Sequence, residues 1–135
     1  MPKFRSLYFH FPFCEARCHY CDFYALGSNK TGTADPPLFE RALLAELDAA
    51  KREGLLGESV DTVFFGGGTP SLTRPEFFSE LRSRIPPLAK GGEWTMECNP
   101  SSMTAATLRA ARELGVNRVS MGVQATQNSH LERLG

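Results

Sequence analysis

Strand-like and helix-like segments alternate from one end of this chain to the other. Aromatic and β-branched residues predict four strands, over residues 6–11, 61–65, 93–97 and 117–123. Apolar residues at helical spacing predict helices that begin near Asp35, Thr73 and Thr104 and end before Gly54, Pro86 and Gly115, and residues 128–135 begin another. Thr73 and Glu76 have the spacing of a capping box. Such alternation is typical of an α/β fold with a parallel sheet and right-handed crossovers.

The length decides between two versions of this fold. The chain has 135 residues, whereas a closed eight-stranded β/α barrel needs roughly 250. The sequence is therefore either a small open α/β sheet or the first four βα units of a larger parallel barrel of the TIM type. We favour the second, with residues 1–135 as the N-terminal part of one domain that is truncated after the fourth strand.

Charge and hydropathy exclude several kinds of partner. The 15 basic and 15 acidic side chains balance, which gives no electrostatic reason to expect nucleic acid. No apolar run approaches the roughly 20 residues of a transmembrane helix, and the N-terminus does not have the pattern of a secretory signal. We therefore expect a cytoplasmic protein.

Three of the four cysteines, Cys14, Cys18 and Cys21, fall within one short segment after the first predicted strand. This clustering argues for a metal site, because a disulfide framework spreads its cysteines along the chain. Soft thiolates select an iron–sulfur cluster, zinc or Cu(I). On spacing alone, a structural zinc site with His10 or His19 as the fourth ligand stays open, and Cys98 is expected to be a small buried residue.

Other unusual residues also follow predicted strands. Gly66, Gly67 and Gly68 follow the second strand, Glu97 closes the third and Gln124 closes the fourth. The carboxyl ends of parallel strands lie along one edge, where α/β proteins place their sites. Consecutive glycines let backbone groups approach a ligand closely, although a tight turn would explain them equally well.

Four segments in this order resemble the radical S-adenosylmethionine (SAM) proteins, especially the oxygen-independent coproporphyrinogen III oxidases and the related haem chaperones. They are the stretch from Leu7 to Phe23 with the three cysteines, Phe64 to Leu72, Glu97 to Pro100, and Gly115 to Gln124. The resemblance covers essentially the whole chain.

The resemblance implies a role for each matching position. Cys14, Cys18 and Cys21 would ligate a [4Fe-4S] cluster whose remaining iron is chelated by SAM. One electron would then cleave SAM to methionine and a 5′-deoxyadenosyl radical. The positions implied to contact SAM are Tyr8, Tyr20, Gly67, Gly68, Thr69, Glu97 and Gln124. A reductant protein such as flavodoxin or ferredoxin is implied as a partner, while the catalytic residues that act on a substrate are unknown.

One position separates the branches of this family. The resembling oxidase has a further cysteine two residues after the third ligand, and here that residue is Phe23. This form resembles the haem chaperones, so we expect a protein that binds haem and passes it on. The alternatives are an oxidase that decarboxylates a porphyrinogen and a structural zinc-binding domain. His10 is expected to pack at the end of the first strand rather than to ligate haem.

Overall fold

The computed structural model describes residues 3–26 and 34–134. They form one four-stranded parallel sheet in the order β1-β2-β3-β4. The strands are β1 (Ser6–Phe11), β2 (Val60–Gly67), β3 (Leu88–Cys98) and β4 (Arg118–Met121). The helices between and after them are α1 (Pro36–Arg52), α2 (Pro75–Arg82), α3 (Ala105–Leu114) and α4 (Asn128–Leu134). The predicted α/β class is confirmed.

Alternate side chains of the strands form the core on one face of the sheet. Phe65 is fully buried there and stacks on Phe78 of α2 with ring centroids 6.2 Å apart. Other members of the buried cluster come from the strands and from α1, α2 and α3. They include Phe9, Phe11, Val63, Trp94, Met96, Leu47, Phe77, Leu81, Ala111 and Leu114. Burial of these side chains supplies most of the driving force for folding. The side chains of the intervening strand residues lie on the opposite face of the sheet.

Local chemistry explains where two of the helices begin. The Asp35 carboxylate accepts a hydrogen bond from the Leu38 amide at 2.9 Å, and two prolines follow in the first turn of α1. The Thr104 hydroxyl accepts from the Thr107 amide at 3.1 Å at the start of α3. Both helix starts were predicted from these residues.

The start of α2 differs from the prediction. Its N-cap is Arg74, with no side-chain capping hydrogen bond, so the predicted capping box at Thr73 and Glu76 is wrong. The reason is that Thr73 ends a short 3₁₀ turn, where its amide donates to the Pro70 carbonyl at 3.1 Å. Arg74 instead bridges α1 and α2 through the Glu40 and Glu80 carboxylates.

Three strand boundaries differ from the prediction by two residues or more. β2 continues through Gly66 and Gly67, because these residues pair in register with His10 and Phe11 of β1. β3 begins at Leu88, which pairs with Val60 across a shift in register. β4 is shorter than predicted and ends at Met121, since Val123 turns back to the Met121 carbonyl.

None of the helices that the structure describes in residues 3–26 and 34–134 is both long and apolar enough to cross a membrane.

Candidate functional site

The carboxyl ends of the strands bring the predicted site residues to one edge of the sheet. β1 runs into the cysteine segment, β2 ends in the glycines, β3 ends next to Glu97, and Gln124 follows β4 by three residues. In the ladder His10 pairs with Gly66, and Glu97 pairs with Ser120. This arrangement follows from the parallel topology.

Backbone hydrogen bonds join the cysteine segment directly to the glycine segment. The Gly68 amide donates to the Phe11 carbonyl at 2.6 Å, and the Thr69 amide donates to the Phe13 carbonyl at 2.7 Å. The Thr69 hydroxyl donates to the Cys14 sulfur at 3.6 Å. A Cβ atom at Gly68 would lie 2.6 Å from the Phe13 carbonyl oxygen, so only glycine permits this approach. Thr69 and Cys14 are therefore neighbours.

Gly67 and His10 form a second contact between the two segments. Gly67 has φ +104, and a Cβ atom there would lie 2.7 Å from the His10 ring. The His10 Nδ1 is 3.0 Å from the Tyr8 hydroxyl, and its Nε2 is 2.8 Å from the Tyr24 carbonyl. Because both ring nitrogens have partners, His10 links Tyr8 to the cysteine segment and is not available as a zinc ligand in this arrangement. The prediction that it packs at the end of β1 agrees with this.

Tyr8 and Glu97 share the face of the sheet opposite the core. The Tyr8 ring stacks on Phe64, with centroids 6.0 Å apart. Partial burial and then the negative charge of Glu97 raise the pKa of Tyr8. A Cβ atom at Gly66 would lie 3.0 Å from Glu97 Oε2, so the missing side chain leaves room for this carboxylate. The face thus presents a phenol and a half-buried carboxylate beside the glycines.

The three clustered cysteines are free thiols and partly buried. The Cys21 amide donates to the Cys18 carbonyl at 3.2 Å, and the Cys14 amide donates to the Leu26 carbonyl at 3.2 Å. Burial and then the Cys18 thiol raise the pKa of Tyr20, which lies between Cys18 and Cys21. Among residues 3–26 and 34–134, no three His, Cys, Asp or Glu side chains are grouped closely enough to hold a single metal ion.

Gln124 has an unusual backbone. Its φ of +62 is the one positive value among the non-glycine residues that the structure describes, and side chains adopt this conformation at some energetic cost. It lies just beyond β4, on the same edge as the cysteines and Glu97. Such strain is common at ligand-binding positions.

Sequence reasoning missed a hydrogen-bonded group in the loop after β3. The Asn99 amide donates to the buried Ser71 hydroxyl at 3.1 Å, and the Ser101 hydroxyl donates to Glu15 Oε2 at 2.7 Å. These partners are separated by 28 and 86 residues in the sequence. Single polar residues in loops carry no signal of pairing over such distances, so no pattern could have revealed these contacts.

The fold and this edge define a class of protein: a parallel β/α sheet that presents a thiol-rich loop, a glycine loop and a carboxylate side by side. Comparison with known proteins gives the family. The model of the Radical SAM superfamily matches residues 8–135, so the chain belongs to this superfamily. The predicted family is confirmed.

Relatives and a solved structure agree with this assignment. The chain is 35% identical to the heme chaperone HemW of Bacillus subtilis, over 97% of this chain and 35% of that protein. It is 36% identical to the oxygen-independent coproporphyrinogen III oxidase of Paracoccus denitrificans, over 88% of this chain and 27% of that protein. The structure of the Escherichia coli coproporphyrinogen III oxidase HemN, a radical SAM enzyme, covers 99% of this chain with a TM-score of 0.77 and 25% identity.

The match to the HemN structure agrees with the predicted partial barrel, and the chain corresponds to 31% of that longer protein. It thus spans about a third of the length of such relatives. Membership of the superfamily implies a [4Fe-4S] cluster and SAM. The residues present fit both groups: three free thiols on a short loop suit a cluster, whose sulfur ligands bind different irons, and Thr69 and the Glu97 carboxylate offer polar groups at the same edge of the sheet.

Proposed function

We propose that Cys14, Cys18 and Cys21 hold the [4Fe-4S] cluster and that SAM binds across the adjoining strand ends. The observation that carries this proposal is the hydrogen bond of 3.6 Å from the Thr69 hydroxyl to the Cys14 sulfur. This contact supports the proposal because it brings the glycine segment next to Cys14. A molecule bound to the proposed cluster would therefore lie close to Gly68 and Thr69.

In this proposal each remaining site residue has a physical task. The Glu97 carboxylate accepts hydrogen bonds from SAM, and the Thr69 hydroxyl, which lies beside Cys14, contacts the same ligand. Tyr8 and Tyr20 present aromatic surface, and Gln124 offers an amide from the end of β4. When bound and reduced, the cluster supplies the electron for reductive cleavage of SAM, and a flavodoxin or ferredoxin is the proposed donor.

For the protein as a whole we propose haem chaperone activity, that is, binding of haem and its transfer to an acceptor protein. HemW of Bacillus subtilis, at 35% identity, carries that name. Phe23 supports this choice, because its side chain is 65% exposed beside the cysteine segment and stands where the resembling oxidase has a further cysteine. The cytoplasmic location stays a prediction.

The second candidate is an oxidoreductase that decarboxylates coproporphyrinogen III. It is supported by the 36% identity to the Paracoccus oxidase and by the fold shared with HemN. The chain covers 27% of the Paracoccus oxidase and 31% of HemN. The two candidates share the cluster and differ in what is bound next to it.

The cluster is tested by anaerobic reconstitution with iron and sulfide. We expect about four irons per chain with broad visible absorption. Replacing Cys14, Cys18 or Cys21 by Ala should abolish both, and Cys98→Ala should leave both intact. Stoichiometric zinc with no iron after anaerobic purification would contradict the proposal.

The choice between the two candidates is tested on a polypeptide that has the full length of the related proteins. A haem chaperone should bind haem stoichiometrically and give no protoporphyrinogen from coproporphyrinogen III in the presence of SAM and a reductant. Phe23→Cys is the informative variant: it should not by itself create turnover, because one thiol does not supply a substrate pocket. Turnover by the unmodified protein would establish the oxidase instead.

A further inference from the structure

A closed ring of bonds joins the three loops at the carboxyl edge of the sheet. From Cys14 the chain leads to Glu15, whose Oε2 accepts from the Ser101 hydroxyl at 2.7 Å. The Ser101 amide donates to Asn99 Oδ1 at 3.1 Å. The Asn99 amide donates to the Ser71 hydroxyl at 3.1 Å. Ser71 is two residues from Thr69, and Thr69 donates back to the Cys14 sulfur at 3.6 Å.

The two sides of the ring differ in burial, and this difference shows which side is the anchor. Ser71 is 2% exposed and Ser102 is 9% exposed. Their hydroxyls are hydrogen-bonded to each other, and the Ser102 hydroxyl also donates to the Asn99 carbonyl at 3.2 Å. Buried, mutually satisfied hydroxyls hold a loop in one arrangement. The exposed pair Glu15 and Ser101 closes the ring on the outer side.

From this geometry we infer that Glu15 and Ser101 are positioning residues: they fix the cysteine loop relative to the loop after β3, and thereby set Cys14 relative to Glu97. The inference rests on the proposed function. Glu97 lies two residues before Asn99, and Cys14 immediately precedes Glu15. A ligand that contacts both the cluster and Glu97 binds best when their separation is fixed before binding.

Opening the ring should weaken SAM binding and leave the iron content unchanged. Glu15→Ala leaves all three thiols in place, so the iron content should stay at about four per chain. The SAM dissociation constant should rise about three- to tenfold. This is less than the full effect of a hydrogen bond to a charged group, because both side chains are exposed. Ser101→Ala should have the same effect, and the double variant should be no weaker than either single variant, since all of them open one ring.

The conservative variant distinguishes a hydrogen bond from a charge. Glu15→Gln keeps a carbonyl oxygen that accepts from Ser101, so its SAM affinity should stay within about twofold of the parent. A matched control is Glu113→Ala, which removes an exposed glutamate near the carboxyl end of α3, at the other end of the sheet. It should leave SAM binding unchanged.

The experiment measures iron content, SAM binding by equilibrium dialysis, and the electron paramagnetic resonance spectrum of the reduced protein with and without SAM. It uses a polypeptide that has the full length of the related proteins. In the metal-free protein, alkylation of Cys14 should be about threefold faster in Glu15→Ala than in the parent or in Glu113→Ala. That readout is independent of cluster, SAM and turnover.

The outcomes separate the inference from the proposed function. If the parent binds SAM, Glu97→Ala loses it, and Glu15→Ala binds SAM and reacts with the alkylating reagent like the parent, the positioning role is wrong while the proposed site stands. Glu15→Gln behaving like Glu15→Ala would also overturn it, since charge alone would then matter. A parent without cluster or SAM would overturn both.

Discussion

The four cysteines differ sharply in environment. Cys98 lies on the core face of β3 and is 6% exposed, whereas Cys14, Cys18 and Cys21 are only partly buried. Burial and then the charge of Glu97 raise the pKa of Cys98 to about 11. Its predicted role as a small buried residue agrees with this position. The sequence distinguished it from the others by spacing alone.

The first prediction concerns thiol reactivity, because the thiolate is the species that reacts. In metal-free protein at pH 8, iodoacetamide should modify Cys14, Cys18 and Cys21 well before Cys98. Labelling of Cys98 should rise about tenfold per pH unit as the pH approaches 11. Mass spectrometry of the alkylated peptides gives the rates. Early labelling of Cys98 at pH 8 in the folded protein would contradict its burial.

The same shift predicts a pH dependence of stability. In the unfolded chain the Cys98 thiol loses its proton near pH 9, and in the folded protein near pH 11. The unfolded state therefore binds fewer protons in this window, and the free energy of unfolding falls as the pH rises through it. The loss from this group is roughly 1–3 kcal/mol. In denaturant melts at pH 8 and pH 11, the free energy of unfolding should drop less for Cys98→Ala than for the parent. An equal drop in both proteins would disprove the raised pKa of Cys98.

Two glycines with positive φ allow the effect of backbone strain to be measured apart from the effect of a steric clash. Gly67 has φ +104 and meets the His10 ring, while Gly91 has φ +79 with open space around it. Gly67→Ala and Gly91→Ala should both be destabilised by about 1 kcal/mol or more through strained backbone. Only Gly67→Ala should also weaken SAM binding, because its Cβ displaces His10. Thermal melting and equilibrium dialysis measure the two effects, and equal SAM affinity in both variants would contradict this assignment.

At the scale of elements, periodicity and turn chemistry predicted every strand and α-helix of the described chain, and boundaries were missed where tertiary pairing decided them. Periodicity could not reveal that Gly66 and Gly67 continue β2, because their pairing depends on the position of β1. Nor could it show that Thr73 belongs to a 3₁₀ turn. Local propensity is regularly overridden by such long-range contacts.

The two threonines give a matched test of capping. Thr104 caps α3 through its hydrogen bond of 3.1 Å to the Thr107 amide, whereas the N-cap of α2 is Arg74 and Thr73 lies outside that helix. Thr104→Ala should lower the free energy of unfolding by about 1 kcal/mol. Thr73→Ala should change it by less than about 0.5 kcal/mol. Urea titration of both variants decides, and an equal loss would restore the capping box at Thr73.

At the scale of the whole molecule, the parallel topology explains why so much of the site could be predicted. Once four strands are known to run parallel, the residues after each of them must meet at one edge. The approach of Thr69 to Cys14 and the ring through Ser71 and Ser101 could not be predicted in this way. They depend on how separate loops fold onto each other, and single polar residues give no sign of that.

The exposed surface of β4 leads to the last prediction. All four of its residues are exposed, and apolar Val119 and Met121 are 40% and 46% exposed on the side where Met96 and Cys98 of the neighbouring strand are buried. Unpaired strand edges with apolar side chains invite association between chains. We therefore expect residues 1–135 alone to self-associate or to be marginally folded, and a polypeptide of the relatives' length to be monodisperse.

Val119→Lys with Met121→Glu should reduce self-association of the short polypeptide, whereas the surface change Glu58→Lys should not. Sedimentation and thermal melting test this, and a monomeric, cooperative melt of residues 1–135 above about 60 °C, near the top of the mesophile range, would show instead that the four βα units are a self-sufficient domain.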